Sequence, residues 1–69
     1  MGRVILRSAH RELLWRLTGG PWRTRTLPAH NLDDAAVYLL GKRLAEVVDG
    51  RLRATQAGYE LRKQIERDL

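Results

Sequence analysis

Residues 45–54 constrain the fold of this chain more than any other stretch. They read Ala45-Glu46-Val47-Val48, then Asp49-Gly50, then Arg51-Leu52-Arg53-Ala54. Asp-Gly suits a two-residue type I′ hairpin turn, in which both central residues need φ > 0. Counting outward from the turn sets Val48 opposite Arg51, Val47 opposite Leu52, Glu46 opposite Arg53 and Ala45 opposite Ala54. One face then holds Ala45, Val47, Leu52 and Ala54, and the other holds Glu46, Val48, Arg51 and Arg53. The two strands agree in phase, and a slip by one residue would turn every apolar side chain to the wet side. Glu46 and Arg53 are placed for a cross-strand ion pair.

Both flanks of the hairpin read as helices. After it, Thr55 is an N-cap followed by Gln56, and the helix runs over about 56–67 with Ala57, Gly58, Leu61, Ile65 and Leu69 facing inward. Gly58 in its first turn permits a close packing contact, and Arg62 and Glu66 form an i,i+4 surface pair. Before the hairpin, the pattern predicts a helix over about 33–43. Asn31 as N-cap with Asp34 three residues on resembles a capping box with Asp in place of Glu. Ala36, Val37, Leu40 and Leu44 form the buried stripe of this helix. Ala35, Tyr38 and Lys42 face away, and Leu39 and Arg43 lie at the edges.

This arrangement resembles the winged-helix, or winged helix-turn-helix, DNA-binding domains. The resemblance covers residues 33–66. It rests on Leu40-Gly41-Lys42-Arg43-Leu44 leading into the first strand, on the Asp49-Gly50 turn, and on Leu52-Arg53-Ala54-Thr55-Gln56-Ala57-Gly58 with its Thr-x-x-Gly helix start. It implies a small α+β winged helix with three helices and a two-stranded β-hairpin wing. It also implies that the helix before the hairpin reads the major groove through Tyr38 and Lys42, with Arg43 at its edge. The wing arginines Arg51 and Arg53 would follow the minor groove or the backbone. The segment between Gly19 and Asn31 is short for the strand and full second helix of that family, which leaves a single turn or no helix there. Asp33 and Asp34 stand at the helix end that such proteins usually press toward DNA.

Upstream, the residues predict a helix over about 8–18, with Ser8 as N-cap and Glu12 early in it. Leu6, Ala9, Leu13, Leu14 and Leu17 share one side. Trp15 points the other way beside Arg11. It either packs against a loop or the C-terminal helix, or anchors a partner. Gly19-Gly20-Pro21 ends the helix. Trp22-Arg23-Thr24-Arg25-Thr26-Leu27 alternates, with Trp22, Thr24 and Thr26 on one face and Arg23 and Arg25 on the other. This predicts a short third strand beside the wing. Arg23, Thr24 and Arg25 also suit phosphate contacts through guanidinium and hydroxyl groups. Equally, charge of this kind guards an edge strand against aggregation.

Composition narrows the function classes. The 69 residues make one domain, 1–69, near the lower limit for a self-sufficient core. With no Cys and no Phe, stability rests on Leu, Val, Ile and Ala packing, and a homodimer would add buried surface. No apolar run approaches the ~20 residues that span a bilayer, and Val4-Ile5-Leu6 is too short for a signal-peptide core. A cytoplasmic protein without membrane contact is expected. Residues 1–30 hold six arginines and one acid, Glu12, whereas residues 31–69 hold seven bases and seven acids. A basic half of this kind favours a polyanion.

Catalysis finds no support. There is no Cys nucleophile and no Gly-rich phosphate loop, and Ser8 is the only serine. His10 and His30 lack the i,i+3 or i,i+4 partner of a helical metal pair, so neither a metal nor another cofactor is expected. Two function classes remain. The first is a DNA-binding protein, a small transcription regulator of phage or plasmid type, acting on double-stranded DNA through Arg23, Thr24, Arg25, Tyr38, Lys42, Arg43, Arg51 and Arg53. The second is a winged-helix protein-interaction module that inhibits or recruits a host factor without DNA. RNA binding by the basic N-terminal half is weaker, because no aromatic stacking platform is evident in the sequence.

Overall fold

The structure, a computed structural model, describes residues 7–68. Its hairpin turns at Asp49 (φ 53°) and Gly50 (φ 74°), as the Asp-Gly pair requires. Strands β2 (Ala45–Val48) and β3 (Arg51–Ala54) pair antiparallel in the register counted from the sequence, from Val48 with Arg51 to Ala45 with Ala54. A third strand, β1 (Thr26–Pro28), pairs antiparallel with β3, giving the order β1-β3-β2. Pro28 has no N–H to donate and sits on an edge strand, where that costs nothing. The Ala29 N–H then donates to the Gly50 carbonyl at 3.0 Å, which ties the end of β1 to the turn.

Three helices complete a small α+β domain: α1 (Ser8–Thr18), α2 (Asp34–Gly41) and α3 (Gln56–Asp68). α1 packs on α2, α3 and β3, while α2 and α3 also touch the sheet. Leu14, Leu17, Leu39 and Leu52 are fully buried between these layers, with Ala36, Leu44, Ala45 and Ala54 around them. Each such leucine contributes roughly 1.5–3 kcal/mol through burial. One helix lies between β1 and β2, so the second helix of a helix-turn-helix is missing among the described residues.

Several expected details differ. Ser8 is the first helical residue of α1, not its cap; Arg7 takes that place and makes no side-chain cap bond. Ala9 is exposed, and Thr18 is buried with its hydroxyl donating to the Leu14 carbonyl at 2.7 Å. Leu6 and Leu69 lie outside the described residues. The cap of α2 is Asp33, whose Oδ1 accepts the Ala36 N–H at 2.9 Å, rather than Asn31.

The buried stripe of α2 is Ala35, Ala36 and Leu39, while Val37 is 57 % exposed and Leu40 half-buried. The cause lies at the helix end. Residues 35–40 carry no charged side chain that fixes the phase, and a stripe that includes Leu44 is rotated from the observed one. Leu44 is not helical. Arg43 adopts φ 60°, and the Leu44 N–H reaches back to the Leu39 carbonyl at 2.9 Å while the Arg43 N–H bonds the Leu40 carbonyl at 3.0 Å. This is a Schellman ending with Arg in the position that glycine usually takes.

The Thr-x-x-Gly start of α3 has a physical reason. The Thr55 hydroxyl accepts the Gly58 N–H at 3.2 Å, capping α3, and donates to the Arg43 carbonyl at 2.7 Å. The Thr55 N–H bonds the Leu44 carbonyl at 3.1 Å. Gly58 therefore lies against the backbone at Leu44, and a Cβ there would strike the Leu44 carbonyl oxygen. Ala57, expected inside, is exposed, and Leu61 and Ile65 are half-buried against the core.

Candidate nucleic-acid interface

The β1-β3-β2 sheet has one face under the helices and one face turned outward. The register sets Thr26, Arg53 and Glu46 in one outward row and Pro28, Arg51 and Val48 in the next. Both wing arginines thus share the outer face, but their charges are held differently. Arg53 Nε donates to Glu46 Oε2 at 2.7 Å, so its charge is compensated. Arg51 Nε donates to the Thr26 hydroxyl at 2.7 Å, and its Nη2 to the Thr26 carbonyl at 3.4 Å. These partners are neutral, so they orient the guanidinium and leave its charge uncompensated.

The basic segment before β1 is a turn, not a strand. The Thr24 N–H and hydroxyl both donate to the Pro21 carbonyl, at 3.2 and 2.8 Å, and close Pro21–Thr24 on itself. Arg23 sits there at φ 61°, in the left-handed region, outside the extended range of regular strand backbone. The alternation of Trp22–Leu27 therefore does not mark two faces of a strand, and pairing begins only at Thr26. Arg23, Thr24 and Arg25 are exposed. The Arg23 N–H donates to the Tyr59 hydroxyl at 2.7 Å, fastening the turn to α3. The Arg23 guanidinium lies 4.8 Å from the Trp22 ring centre.

On α2, Tyr38 is half-buried instead of free. It stacks on His10 of α1 at 4.1 Å with planes 9° apart, and the Lys42 ammonium lies 5.7 Å from its ring centre. Tyr38 is therefore already committed to an α1–α2 contact, while Lys42 and Arg43 remain exposed. Asp33 and Asp34 are exposed at the start of this helix. Trp15 packs against α3, where Arg62 lies 4.9 Å from its ring centre and reaches toward its carbonyl.

Sequence reasoning missed one cluster. Trp22 and Tyr59 meet with ring centres 4.5 Å apart and planes at 47°, so an aromatic pair does exist beside the basic turn. The two residues are far apart in the chain, and no local period links them. Only the fold of the turn onto α3 brings them together. Among the described residues no group of His, Cys, Asp and Glu is arranged to hold a metal ion, and no helix is long and apolar enough to cross a membrane.

Comparison with known proteins adds no assignment: no family model matches the chain, and no curated protein or solved structure matches it significantly.

Proposed function

We propose that this chain is a winged-helix-type DNA-binding protein, a small transcription regulator of phage or plasmid kind, that holds duplex DNA mainly through its wing and its basic turn. The observation that carries this reading is Arg51, an exposed arginine on the outer sheet face, oriented by the neutral oxygens of Thr26. Arg53 sits beside it with Glu46, and Arg23 and Arg25 add charge from the turn before β1. Guanidinium groups held in this way suit phosphate oxygens, which position a protein on a duplex without reading sequence. With one helix between β1 and β2 and two aspartates at its start, base reading through Tyr38, Lys42 and Arg43 is the minor part.

Fluorescence anisotropy with random duplex DNA tests the reading. Roughly three to six phosphate contacts give a log–log salt slope of about −3 to −5. Neutralising Arg23 and Arg25 together flattens that slope by about two and weakens all sequences alike. Arg51→Ala weakens binding more than Arg53→Ala. No binding at low salt, or an affinity independent of salt, rules the reading out.

A second reading has its own support. Val37 on α2 is 57 % exposed, and Asp33 and Asp34 make the start of that helix acidic. A protein-interaction module would use such a surface. The pair Asp33→Asn/Asp34→Asn separates the two: it strengthens non-specific DNA binding under the first reading and impairs a protein partner under the second.

A further inference from the structure

From the cluster where the basic turn meets α3, we infer a second binding site: a stacking pocket for an unpaired nucleobase of a DNA strand, with the strand's phosphates on the cations around it. The cleft is lined by Gly20, Trp22, Gln56, Tyr59, Glu60 and Lys63 and has a volume of about 470 Å³.

Its chemistry is asymmetric in a way that suits a nucleotide. Trp22 is 48 % exposed although it touches Tyr59, so the aromatic pair is not closed over by the fold. Every base has a π-face, and stacking on an exposed aromatic is a main source of affinity for single strands. Arg23 covers part of the Trp22 ring, and a guanidinium plane is itself a stacking surface for a base. A base that displaces it frees the guanidinium for the adjoining phosphate. Arg25, two residues on, is exposed, and Lys63 lines the cleft; neither is held in an ion pair among the described residues. Gln56 donates to Glu60 at 3.2 Å, which sets an amide and a carboxylate together at the pocket wall, where base-edge donors and acceptors could meet them. Within the lining Lys63 offsets Glu60, and the excess cations are Arg23 over the Trp22 ring and Arg25 beside Gly20, at the rim where the phosphates flanking a stacked base would lie.

This site goes beyond the duplex reading, since a base inside a duplex cannot reach a pocket of this kind without leaving the stack. The experiment titrates the full chain with a short oligothymidylate, and with a strand of equal length and charge made entirely of abasic sites. Binding is read by anisotropy and by the indole N–H signals of Trp15 and Trp22. We expect the oligothymidylate to bind about 10-fold more tightly than the abasic strand, as loss of one stacked base implies. The Trp22 signal moves and the Trp15 signal stays. Trp22→Ala abolishes the difference between the two strands, while Trp22→Phe keeps most of it, and Lys63→Ala weakens both strands alike.

Equal binding of the two strands, or a Trp22 signal that does not move, overturns the proposal. Tighter binding of an oligouridylate than of oligothymidylate overturns the assignment to DNA. Failure of the duplex reading looks different: duplex binding is then absent while base-dependent single-strand binding persists. Duplex binding with no base dependence in the single strand means that only the stacking pocket fails. Trp22→Phe, together with the wild-type indole signals, keeps the test decisive even if Trp22→Ala unfolds the turn.

Discussion

The segment from Leu44 to Gly58 and the segment from Gly19 to Asp33 are of equal length and obey different rules. In the first, the strands, the turn and the helix start are set by neighbouring residues. Alternation sets the strands, Asp49-Gly50 sets the turn, and Thr55 caps the next helix, and the observed register agrees pair by pair. In the second, a pattern of equal regularity is misleading. Trp22–Leu27 alternates as cleanly as the hairpin does, yet its first half is a turn closed on Pro21 and fastened to Tyr59 from the other end of the chain. Periodicity specifies a strand only where a partner strand and a turn share its phase. Where one side of the alternation is arginine and the other is mixed Trp and Thr, remote contacts decide.

The largest test of the first segment is Gly58→Ala. The Cβ meets the Leu44 carbonyl, a backbone atom that cannot swing aside. Either α3 moves off the end of α2 or the Thr55 bridge opens. We expect a stability loss of about 2–3 kcal/mol by urea unfolding, at the upper end of overpacking costs, even after the helix propensity that Ala adds. A loss below about 1 kcal/mol would show that α3 has slack against Leu44, and the glycine would then have no packing role.

Gly50→Val comes next. Gly50 holds φ 74° with open space around it, so the cost comes from the backbone and not from crowding. A β-branched residue at positive φ costs about 1–3 kcal/mol. The two substitutions separate the two reasons for glycine in this segment, close approach at Gly58 and left-handed backbone at Gly50. Gly50→Asn, which tolerates that conformation, should recover most of the loss.

What was legible follows this division. The hairpin, its ion pair, the Thr55 cap and the existence of three helices could all be read from residues within a few positions of one another. The phase of α2 could not, because Ala35–Leu40 carries no charged side chain and the left-handed Arg43 that ends the helix leaves no mark in the sequence. Of the candidate interface, the outward placement of Arg51 and Arg53 was readable from the alternation. The engagement of Tyr38 by His10 and the Trp22–Tyr59 pair were not, since each joins elements with no common period.

Tyr59→Phe tests the second segment at its remote support. The hydroxyl accepts the Arg23 N–H at 2.7 Å and lies 3.5 Å from the Leu17 carbonyl. Arg23 is exposed, so water replaces its bond, and the contact with the Leu17 carbonyl is long, so the expected cost is about 0.5–1 kcal/mol. The informative readout is local. Amide exchange at Arg23 should accelerate while exchange in β2 and β3 stays unchanged. Unchanged exchange at Arg23 would mean that the Pro21–Thr24 turn stands by itself, and the contrast between the two segments would lose its cause.

The smallest effect on stability belongs to Glu46→Gln, and it sharpens the contrast between the two wing arginines. The Glu46–Arg53 pair lies on the outer sheet face with side chains 38 % and 26 % exposed, so solvent screens it and its loss costs about 0.5 kcal/mol or less. Its effect on DNA binding should be larger than its effect on folding. With Glu46 neutral, Arg53 becomes a cation with neutral partners, as Arg51 is beside Thr26, and it gains a phosphate contact. Under the DNA reading, the log–log salt slope then steepens by about one, and Arg53→Ala in that background should weaken binding about as much as Arg51→Ala does. If Glu46→Gln leaves both the affinity and the slope unchanged while Arg51→Ala still weakens binding, the phosphate track passes Arg51 and the turn arginines without crossing the row of Thr26, Arg53 and Glu46. The duplex would then lie toward the tip of the hairpin.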